Sequence, residues 1–327
     1  MTERITSQMI GNTTISSIES DLNQLSQTQE DLSTGYDIND PSDNPYGAAL
    51  SISLSGQVSA YSAYQSNVTQ GTAWSQSASG SLQSVQQSVQ TVRELVVEAS
   101  NGTMSSNDLQ DAAQEVLQYI SQIKQSADSQ YDGSYIFSGD DVDTEPYSTT
   151  ATAADPATED QFGGNTNAIN YAIGPSTQLQ VNANLYSVLG NGNTGGTAGT
   201  SSNGGGAVQA DGSGGLLATL RTVYNDLTGT NGGTQSDLGN QLNNIDANQS
   251  ALESVQATVG ATQDSLQMAS SRLTSLSTSA QTDAGNVKDT DMPEATVAFS
   301  SEQASYQAAL QSAADIIQTS LLNFLQS

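Results

Sequence analysis

The sequence predicts a mainly α protein: a long helical coiled-coil rod built from both chain ends, with a small β-rich inserted domain in the middle. Near both ends, apolar residues recur at alternating spacings of three and four over long stretches. In the middle, short alternating segments and a glycine-rich run replace that pattern. Hydrophobic residues make up 35% of the chain and aromatic residues 5%, which favours slender helices over a broad globular core.

The first element is a helix over residues 5–34. Gly35 ends it, and a sharp turn follows over 40–47, where Pro41 and Pro45 cannot continue a helix. The helix carries one apolar seam with a polar position at Gln29. The apolar members of this seam are Ile15, Ile18, Leu22, Leu25 and Leu32.

Three helical segments follow the turn. Residues 47–75 have mixed helical spacing and predict a less regular helix, whereas 82–99 and 109–127 are clearly amphipathic. Between the last two, Gly102 suits a left-handed helix end, and Ser105 with Asp108 resembles a capping box. These two helices are therefore predicted to form an antiparallel hairpin.

The middle of the chain loses helical periodicity from about Tyr135. Alternation over 168–173 and 179–185 predicts two strands, separated by a turn at Gly174 and Pro175. The pattern over residues 185–189 also predicts a strand. The run over 190–215 has the composition of flexible coil.

Helical patterns return over 216–227 and again over 236–284, where a sustained heptad predicts one long helix. Pro293 and Glu294 suit the first turn of a last helix, which runs to the chain end. These elements divide the chain into an N-terminal core helix with its turn, a first part of the helical rod, a variable insertion, a second part of the rod and a C-terminal core helix. The corresponding ranges are 1–45, 46–139, 140–235, 236–286 and 287–327.

The charge balance excludes several classes of function. Acidic residues outnumber basic ones by 34 to 6, so the chain cannot neutralise a nucleic-acid backbone, and an anionic membrane surface would repel it. No segment is apolar enough for membrane insertion. Cys and His are absent, which removes the commonest nucleophiles, bases and metal ligands. We therefore expect no enzyme, no cofactor and no metal site.

The stripes at both chain ends leave apolar side chains without an intramolecular neighbour. Two paired helices bury only part of such stripes, so we expect further burial between copies, with the ends ordering on assembly. The predicted assembly interface comprises Ile15, Ile18, Leu22, Leu25, Leu32, Leu310, Ile317, Leu321, Phe324 and Leu325.

Five stretches resemble a known family. Leu32–Gly35 with Ile38–Pro45 is similar to the LSSGKxINxPSDDP element of bacterial flagellins, and Arg93–Thr103 to their RELAVQAANGT segment. Tyr131–Gly139 resembles YNGxYIFxG, and Ala308–Leu325 resembles AAL…SLLDFL, both typical of the hook-filament junction proteins, the hook-associated protein 3 family. The chain is therefore identified as a member of the flagellin superfamily that most resembles the junction family.

The resemblance implies a structural component of the bacterial flagellum, exported by the type III apparatus without a cleaved signal peptide and located outside the cell. It implies four partners: copies of the chain itself, the first hook-associated protein, flagellin and a flagellar export chaperone. Two alternatives stay open. The first alternative is a flagellin that forms the bulk filament, and the second is a soluble glycan-binding module displayed by residues 140–235.

Overall fold

A computed structural model describes residues 2–147, 160–190 and 214–325. Within these ranges, the side chains of 2–8, 10, 231 and 315–325 are not described. The described part is mainly helical with a small strand-containing middle, as the sequence predicts. Its helices are α1 (Thr2–Thr34), α2 (Pro45–Ser100), α3 (Ser106–Ala127), α4 (Tyr186–Leu189), α5 (Gly215–Thr228), α6 (Leu238–Lys288) and α7 (Met292–Leu325).

The chain forms two compact units. We call residues 1–61 with 275–327 the terminal unit, and 62–274 the central unit. The division falls inside the long helices α2 and α6. Of the 40 buried hydrophobic side chains in the described part, only Ile38, Ala48 and Ala280 belong to the terminal unit. The hydrophobic core is therefore almost confined to the central unit, and the predicted five-part division of the chain stays a prediction.

Apolar seams at helical spacing build the core of the central unit. In α6, every seventh residue from Leu238 to Leu273 is buried, as the heptad predicts. Polar contacts also join α6 to α2: the Gln263 amide donates to the Ser75 carbonyl oxygen at 3.0 Å. The buried seam residues of α2 and α3 are Leu82, Val85, Val89, Val92, Val96, Ala99, Ala113, Val116, Ile120, Ile123 and Ala127.

The predicted break between helices at 47–75 and 82–99 is wrong, because α2 is continuous from Pro45 to Ser100. The intervening segment is rich in serine and contains Gly80, so its intrinsic helix propensity is low. Ala78 and Leu82 are nevertheless fully buried on either side of that glycine. Packing of this face against the core outweighs the weak local propensity.

The connection between α2 and α3 has the predicted local features. Gly102 has a left-handed backbone with φ of 68°. The Ser105 hydroxyl accepts the Asp108 backbone N–H at 3.3 Å, and the Asp108 carboxylate accepts the Ser105 N–H at 3.0 Å. This reciprocal pair is the predicted capping box.

Two short antiparallel hairpins form the strand-containing middle. Strands β1 (Gln130–Tyr131) and β2 (Ser134–Tyr135) are joined by Asp132 and Gly133, both with positive φ. Strands β3 (Asn170–Gly174) and β4 (Thr177–Gln180) pair across the predicted turn.

The strand-like interpretation of 185–189 is wrong, since Tyr186–Leu189 is one helical turn. Asn184 closes this turn: its side-chain oxygen accepts the Ser187 N–H at 3.3 Å, and its carbonyl accepts the Ser187 hydroxyl at 2.8 Å. Most of the residues expected to form coil over 190–215 lie outside the described part.

A buried ionic cluster joins three segments of the central unit. Both oxygens of Asp160 accept from Arg221 of α5, at 2.7 and 3.1 Å, and Oδ1 also accepts from Nζ of Lys124 on α3 at 3.1 Å. The side chains are 0%, 5% and 2% exposed. The sequence pattern does not predict this buried role of Lys124, because the contact joins parts of the chain that are far apart. The cluster connects α3 and α5 to the segment that precedes β3.

Replacing Asp160 by Asn should destabilise the central unit by about 3–5 kcal/mol, because two buried cations lose their carboxylate. Urea unfolding followed by the fluorescence of Trp74, the only tryptophan and 5% exposed, measures this change. Asp246→Asn is the matched control. It removes a carboxylate from the exposed pair with Arg93 (N–O distance 2.6 Å) and should cost less than about 1 kcal/mol. Equal effects of the two variants would contradict a structural role for the buried cluster.

Candidate assembly interface

One face of α1 packs against α7 in the terminal unit. The positions of α1 that are half-buried recur at spacings of three and four, as expected for a helix with one neighbour. They mix small, polar and apolar residues, and none is fully buried. The residues of this stripe are Gly11, Thr14, Ile18, Asp21, Leu25, Thr28 and Leu32, and Asp31 beside it is also half-buried.

The opposing face of α7 has the same character. Its half-buried positions follow one helical stripe and are mostly alanine, with two aromatic residues and one carboxylate. Small side chains let the two backbones approach closely but contribute little apolar burial. These residues are Ala295, Ala298, Phe299, Glu302, Tyr306, Ala309 and Ala313.

The predicted interface residues divide into two groups. Ile18, Leu25 and Leu32 lie on the half-buried face towards α7, whereas Ile15 and Leu22 lie outside it and are 57% and 48% exposed. The seam read as continuous in the sequence thus faces a partner helix at alternate positions only. Leu310 is 43% exposed. The side chains of Ile317, Leu321, Phe324 and Leu325 lie outside those described.

Exposed apolar side chains are concentrated in the terminal unit. Of the twelve large hydrophobic residues that are exposed in the described part, ten belong to the terminal unit and only Val97 and Met268 to the central unit. Scattered single exposures are normal, but such an accumulation is typical of interaction surfaces. The ten are Met9, Ile15, Leu22, Tyr36, Tyr46, Ile52, Leu276, Met292, Val297 and Leu310.

Polar groups interrupt the contact between α1 and α7. The Thr28 hydroxyl donates to Oε2 of Glu302 at 2.7 Å. Asp21 and Glu302 both line a cleft of about 130 Å³ between these helices, together with Gln24, Ser301 and Ser305. Since water reaches this seam, the two-helix pair gains less from apolar burial than a dry coiled coil does.

A short antiparallel bridge holds the end of α1 beside the start of α7. The Asp37 N–H donates to the Lys288 carbonyl at 2.8 Å, and the Thr290 N–H donates to the Gly35 carbonyl at 3.0 Å. Gly35 has φ of 79°, a conformation that favours glycine. The Lys288 ammonium lies 3.7 Å from the centre of the Tyr36 ring, a cation–π contact that fixes the bridge from one side.

The turn after this bridge is closed by side chains. One Asp43 oxygen accepts the backbone N–H groups of Asn39 and Asp40, at 3.1 and 2.8 Å. The Asn39 amide donates to the Asp31 carboxylate at 2.9 Å. Asn44 starts α2 by accepting the Gly47 N–H at its side-chain oxygen, at 2.9 Å. The polar residues of the turn therefore satisfy backbone groups instead of facing a ligand.

Several carboxylates lie close together at the same turn. The pKa of Asp31 is raised, first by burial and then by the charge of Asp37, against which the Asn39 hydrogen bond acts in the opposite direction. Asp43 and Glu30 raise it further. In the described part, no group of three or more acidic residues is arranged to hold a metal ion. Nor does any described helix have the length and hydropathy needed to cross a membrane.

The geometry shows which residues the sequence reasoning missed at this site. The contact between Tyr36 and Lys288 was not predicted, because the two residues are 252 positions apart and neither belongs to an apolar stripe. Gly47 was read only as part of the turn. A Cβ atom there would lie 2.5 Å from Cδ1 of the buried Ile38 and 2.8 Å from Nδ2 of Asn44. A side chain at position 47 would therefore force Ile38 or Asn44 to move.

Two protein-family models match helical parts of the chain. The model of the bacterial flagellin N-terminal helical region matches residues 5–141, and that of the flagellin C-terminal helical region matches 242–325. Together they cover about two thirds of the chain. The chain belongs to the flagellin family.

Curated relatives of this flagellin-family chain include the phase 1 flagellin of Salmonella naestved and the flagellin of Salmonella dublin. Each is 32% identical over 117 residues, which is 36% of this chain and 23% of the relative. The aligned segment therefore spans about a quarter of the length of these relatives.

Solved structures extend the likeness in fold. A Vibrio parahaemolyticus protein described as a flagellar hook-associated protein has a TM-score of 0.60 at 18% identity, covering 76% of this chain and 100% of its own. Hook-associated protein 3 of Legionella pneumophila has a TM-score of 0.57 at 16% identity, covering 72% of this chain and 98% of its own. FlgL of Bacillus cereus has a TM-score of 0.54 at 17% identity, covering 71% of this chain and 99% of its own. The predicted resemblance to the flagellin superfamily is confirmed, and the three solved structures named here are of hook-associated or FlgL proteins.

Flagellin-family proteins are structural components of the flagellum. They self-assemble, associate with other flagellar components and are assembled outside the cell. In this chain the terminal unit holds most of the exposed large apolar side chains of the described part.

Replacing Gly47 by Ala should destabilise the turn by about 1–3 kcal/mol, because the added methyl group overlaps Ile38 and Asn44. Gly56→Ala is the control in the same helix, since nothing lies within 4 Å of its added Cβ. It should be neutral or stabilise α2 by up to about 1 kcal/mol. Hydrogen exchange of the amides of residues 37–50 measures both. Unchanged protection in Gly47→Ala would show that the turn accommodates a side chain.

Proposed function

We propose that this chain is a self-assembling structural adaptor at the hook-filament junction, linking the first hook-associated protein to the flagellin filament. It acts outside the cell, reaches its place through flagellar export without a cleaved signal peptide, and catalyses no reaction. Its partners are copies of itself, the first hook-associated protein, flagellin and an export chaperone. The five-part division of the chain is part of this proposal.

The observation that carries the junction role is the likeness in fold to hook-associated protein 3 and FlgL structures, which are matched over at least 98% of their own length. A local feature supports it. The stretch from Tyr131 to Gly139, which resembles the junction family, forms the β1–β2 hairpin and buries Ile136 and Phe137 in the central core. The junction-like sequence therefore shapes the core of the central unit.

The alternative role is that of a flagellin forming the bulk filament. The 32% identity with Salmonella flagellins over 117 residues favours it. Both roles use the same kind of terminal helices, so the terminal unit does not discriminate between them. The glycan-binding alternative depends on residues 140–235, of which 148–159 and 191–213 lie outside the described part.

Position along the flagellum decides between the two structural roles. Flagella detached from cells are labelled with an antibody against this chain and examined by electron microscopy. The junction role predicts label at the hook end of each filament only, because an adaptor occupies one short zone. Label along the whole filament would contradict the junction role and favour the flagellin alternative.

Exposed apolar residues of α1 test the proposed interface. The double variant Ile15→Gln and Leu22→Gln should fold normally, because both side chains are already about half exposed in the isolated chain. It should nevertheless lose most of its incorporation into flagella, measured by immunoblot of detached flagella from cells that carry only the variant. Circular dichroism of the purified chain checks its fold.

The matched control is Val97→Gln with Met268→Gln, the two large hydrophobic residues that are exposed among the described residues of the central unit. It should be incorporated like the unmodified chain. Normal incorporation of the Ile15 and Leu22 variant would remove these residues from the interface.

A further inference from the structure

The turn between α2 and α3 holds an asparagine that is followed directly by glycine. Asn101, Gly102 and Thr103 are all exposed in this turn. The sequence contains four Asn-Gly pairs, and this is the pair for which the structure describes both the asparagine side chain and its surroundings. In such a pair the glycine nitrogen can close a five-membered ring on the asparagine side chain, because glycine has no side chain to obstruct the approach.

The fold does not hold the side chain of Asn101. Within the described ranges, its amide makes no hydrogen bond. Other asparagines of the central unit are fixed: the buried Asn248 amide donates to the Thr219 hydroxyl at 2.9 Å, and the Asn67 amide donates to the Ala172 carbonyl at 2.9 Å. The side chain of Asn101 can therefore turn its Cγ towards the backbone nitrogen that follows it.

The backbone nitrogen of Gly102 is also weakly held. It lies 3.5 Å from the Ala99 carbonyl oxygen, which is well beyond the usual N–O distance of about 3.0 Å. That oxygen has a closer donor, since the Gln235 amide reaches it at 2.7 Å. Gly102 has φ of 68°, and no atom lies within 4 Å of the place where its Cβ would stand. The nitrogen can therefore lose its proton to water without breaking a strong hydrogen bond.

We propose that Asn101 is a site of spontaneous deamidation in the folded chain. The deprotonated Gly102 nitrogen forms a bond to Cγ of Asn101, the bond from Cγ to Nδ2 breaks, and Nδ2 takes protons from water and leaves as ammonia. Water then opens the cyclic succinimide at either of its carbonyls. One opening gives aspartate, and the other gives isoaspartate, in which the main chain runs through the side-chain carbons. Water is the co-reactant, and no atom is oxidised or reduced.

Either product changes the connection between α2 and α3. Aspartate places a negative charge at the C-terminal end of α2, where the helix dipole is already negative and Glu98 is one turn away. Isoaspartate adds one atom to the main chain shortly before the capping box of Ser105 and Asp108. Both changes should loosen the first turn of α3, in which the Leu109 N–H donates to the Ser105 carbonyl at 3.0 Å. This inference is independent of the proposed function.

The test follows the full purified chain during incubation at mildly alkaline pH, in buffer and in parallel in urea that unfolds it. Trypsin then releases the peptide from Glu94 to Lys124, which contains two asparagines, Asn101 and Asn107. Asn107 is the internal control. It is exposed as well, but the next residue is Asp108, whose N–H is bonded to the Ser105 hydroxyl. Fragmentation in the mass spectrometer locates the conversion, and enzymatic methylation detects isoaspartate.

Asn101 should convert in the folded chain at a rate within a few-fold of its rate in urea. Conversion should be faster as the pH rises, because the attacking nitrogen is deprotonated. Asn107 should stay intact in the folded chain. An intact Asn101 in buffer would overturn the proposal, whether or not it converts in urea. Equal conversion of Asn101 and Asn107 in the folded chain would also overturn it, since the turn would then not select the site.

Two variants test the effect on the connection between the helices. Asn101→Gln keeps an amide, but its longer side chain closes the corresponding ring far more slowly. Asn101→Asp carries the charge of one product on a normal backbone. Hydrogen exchange at Leu109 and its neighbours in α3 should be several-fold faster in the unmodified chain after incubation, unchanged in Asn101→Gln, and raised in Asn101→Asp by the effect of charge alone. Equal exchange in the converted chain and in Asn101→Gln would overturn the predicted loosening.

Discussion

Incomplete burial of the apolar stripes of α1 and α7 is the constraint on which the rest of this structure depends. A helix pair hides one face of each partner, and here that face is built largely of alanine, threonine and carboxylates. Larger apolar residues such as Ile15, Leu22 and Leu310 are left near half exposure. In the central unit the same three-four spacing is buried completely because several elements surround each stripe. One sequence pattern thus gives a closed core in one unit and an open surface in the other.

Much of this architecture follows from the sequence. Long helices, the capping box at Ser105 and the heptad of α6 were all predictable, because each depends on residues within a few turns of one another. The continuity of α2 through Gly80 was not, since it depends on the core that buries Ala78 and Leu82. Local propensity describes what a segment prefers alone, and tertiary packing overrode it there.

Contacts between residues far apart in sequence were the least predictable part of the candidate site. The buried position of Lys124 had a weak signal: it lies four residues after Ile120, at the edge of the apolar stripe of α3. Nothing in the sequence indicates that Asp160 and Arg221 meet it. The contact between Tyr36 and Lys288 is a second example. The flagellin motif has a basic residue at the position of Tyr36, whereas here Lys288, from a distant part of the sequence, brings a positive charge to the Tyr36 ring.

The pairing of α1 with α7 joins parts of the chain that are very far apart. Thr28 and Glu302, which share a hydrogen bond, are separated by 274 positions. Closing so long a loop carries a large entropic cost, and non-local pairing of this kind is slow to form. The stretches that build the central core are closer in sequence and can condense first. During synthesis, α1 stays unpaired until α7 has been made, so the surface that these two helices form together is completed late in folding.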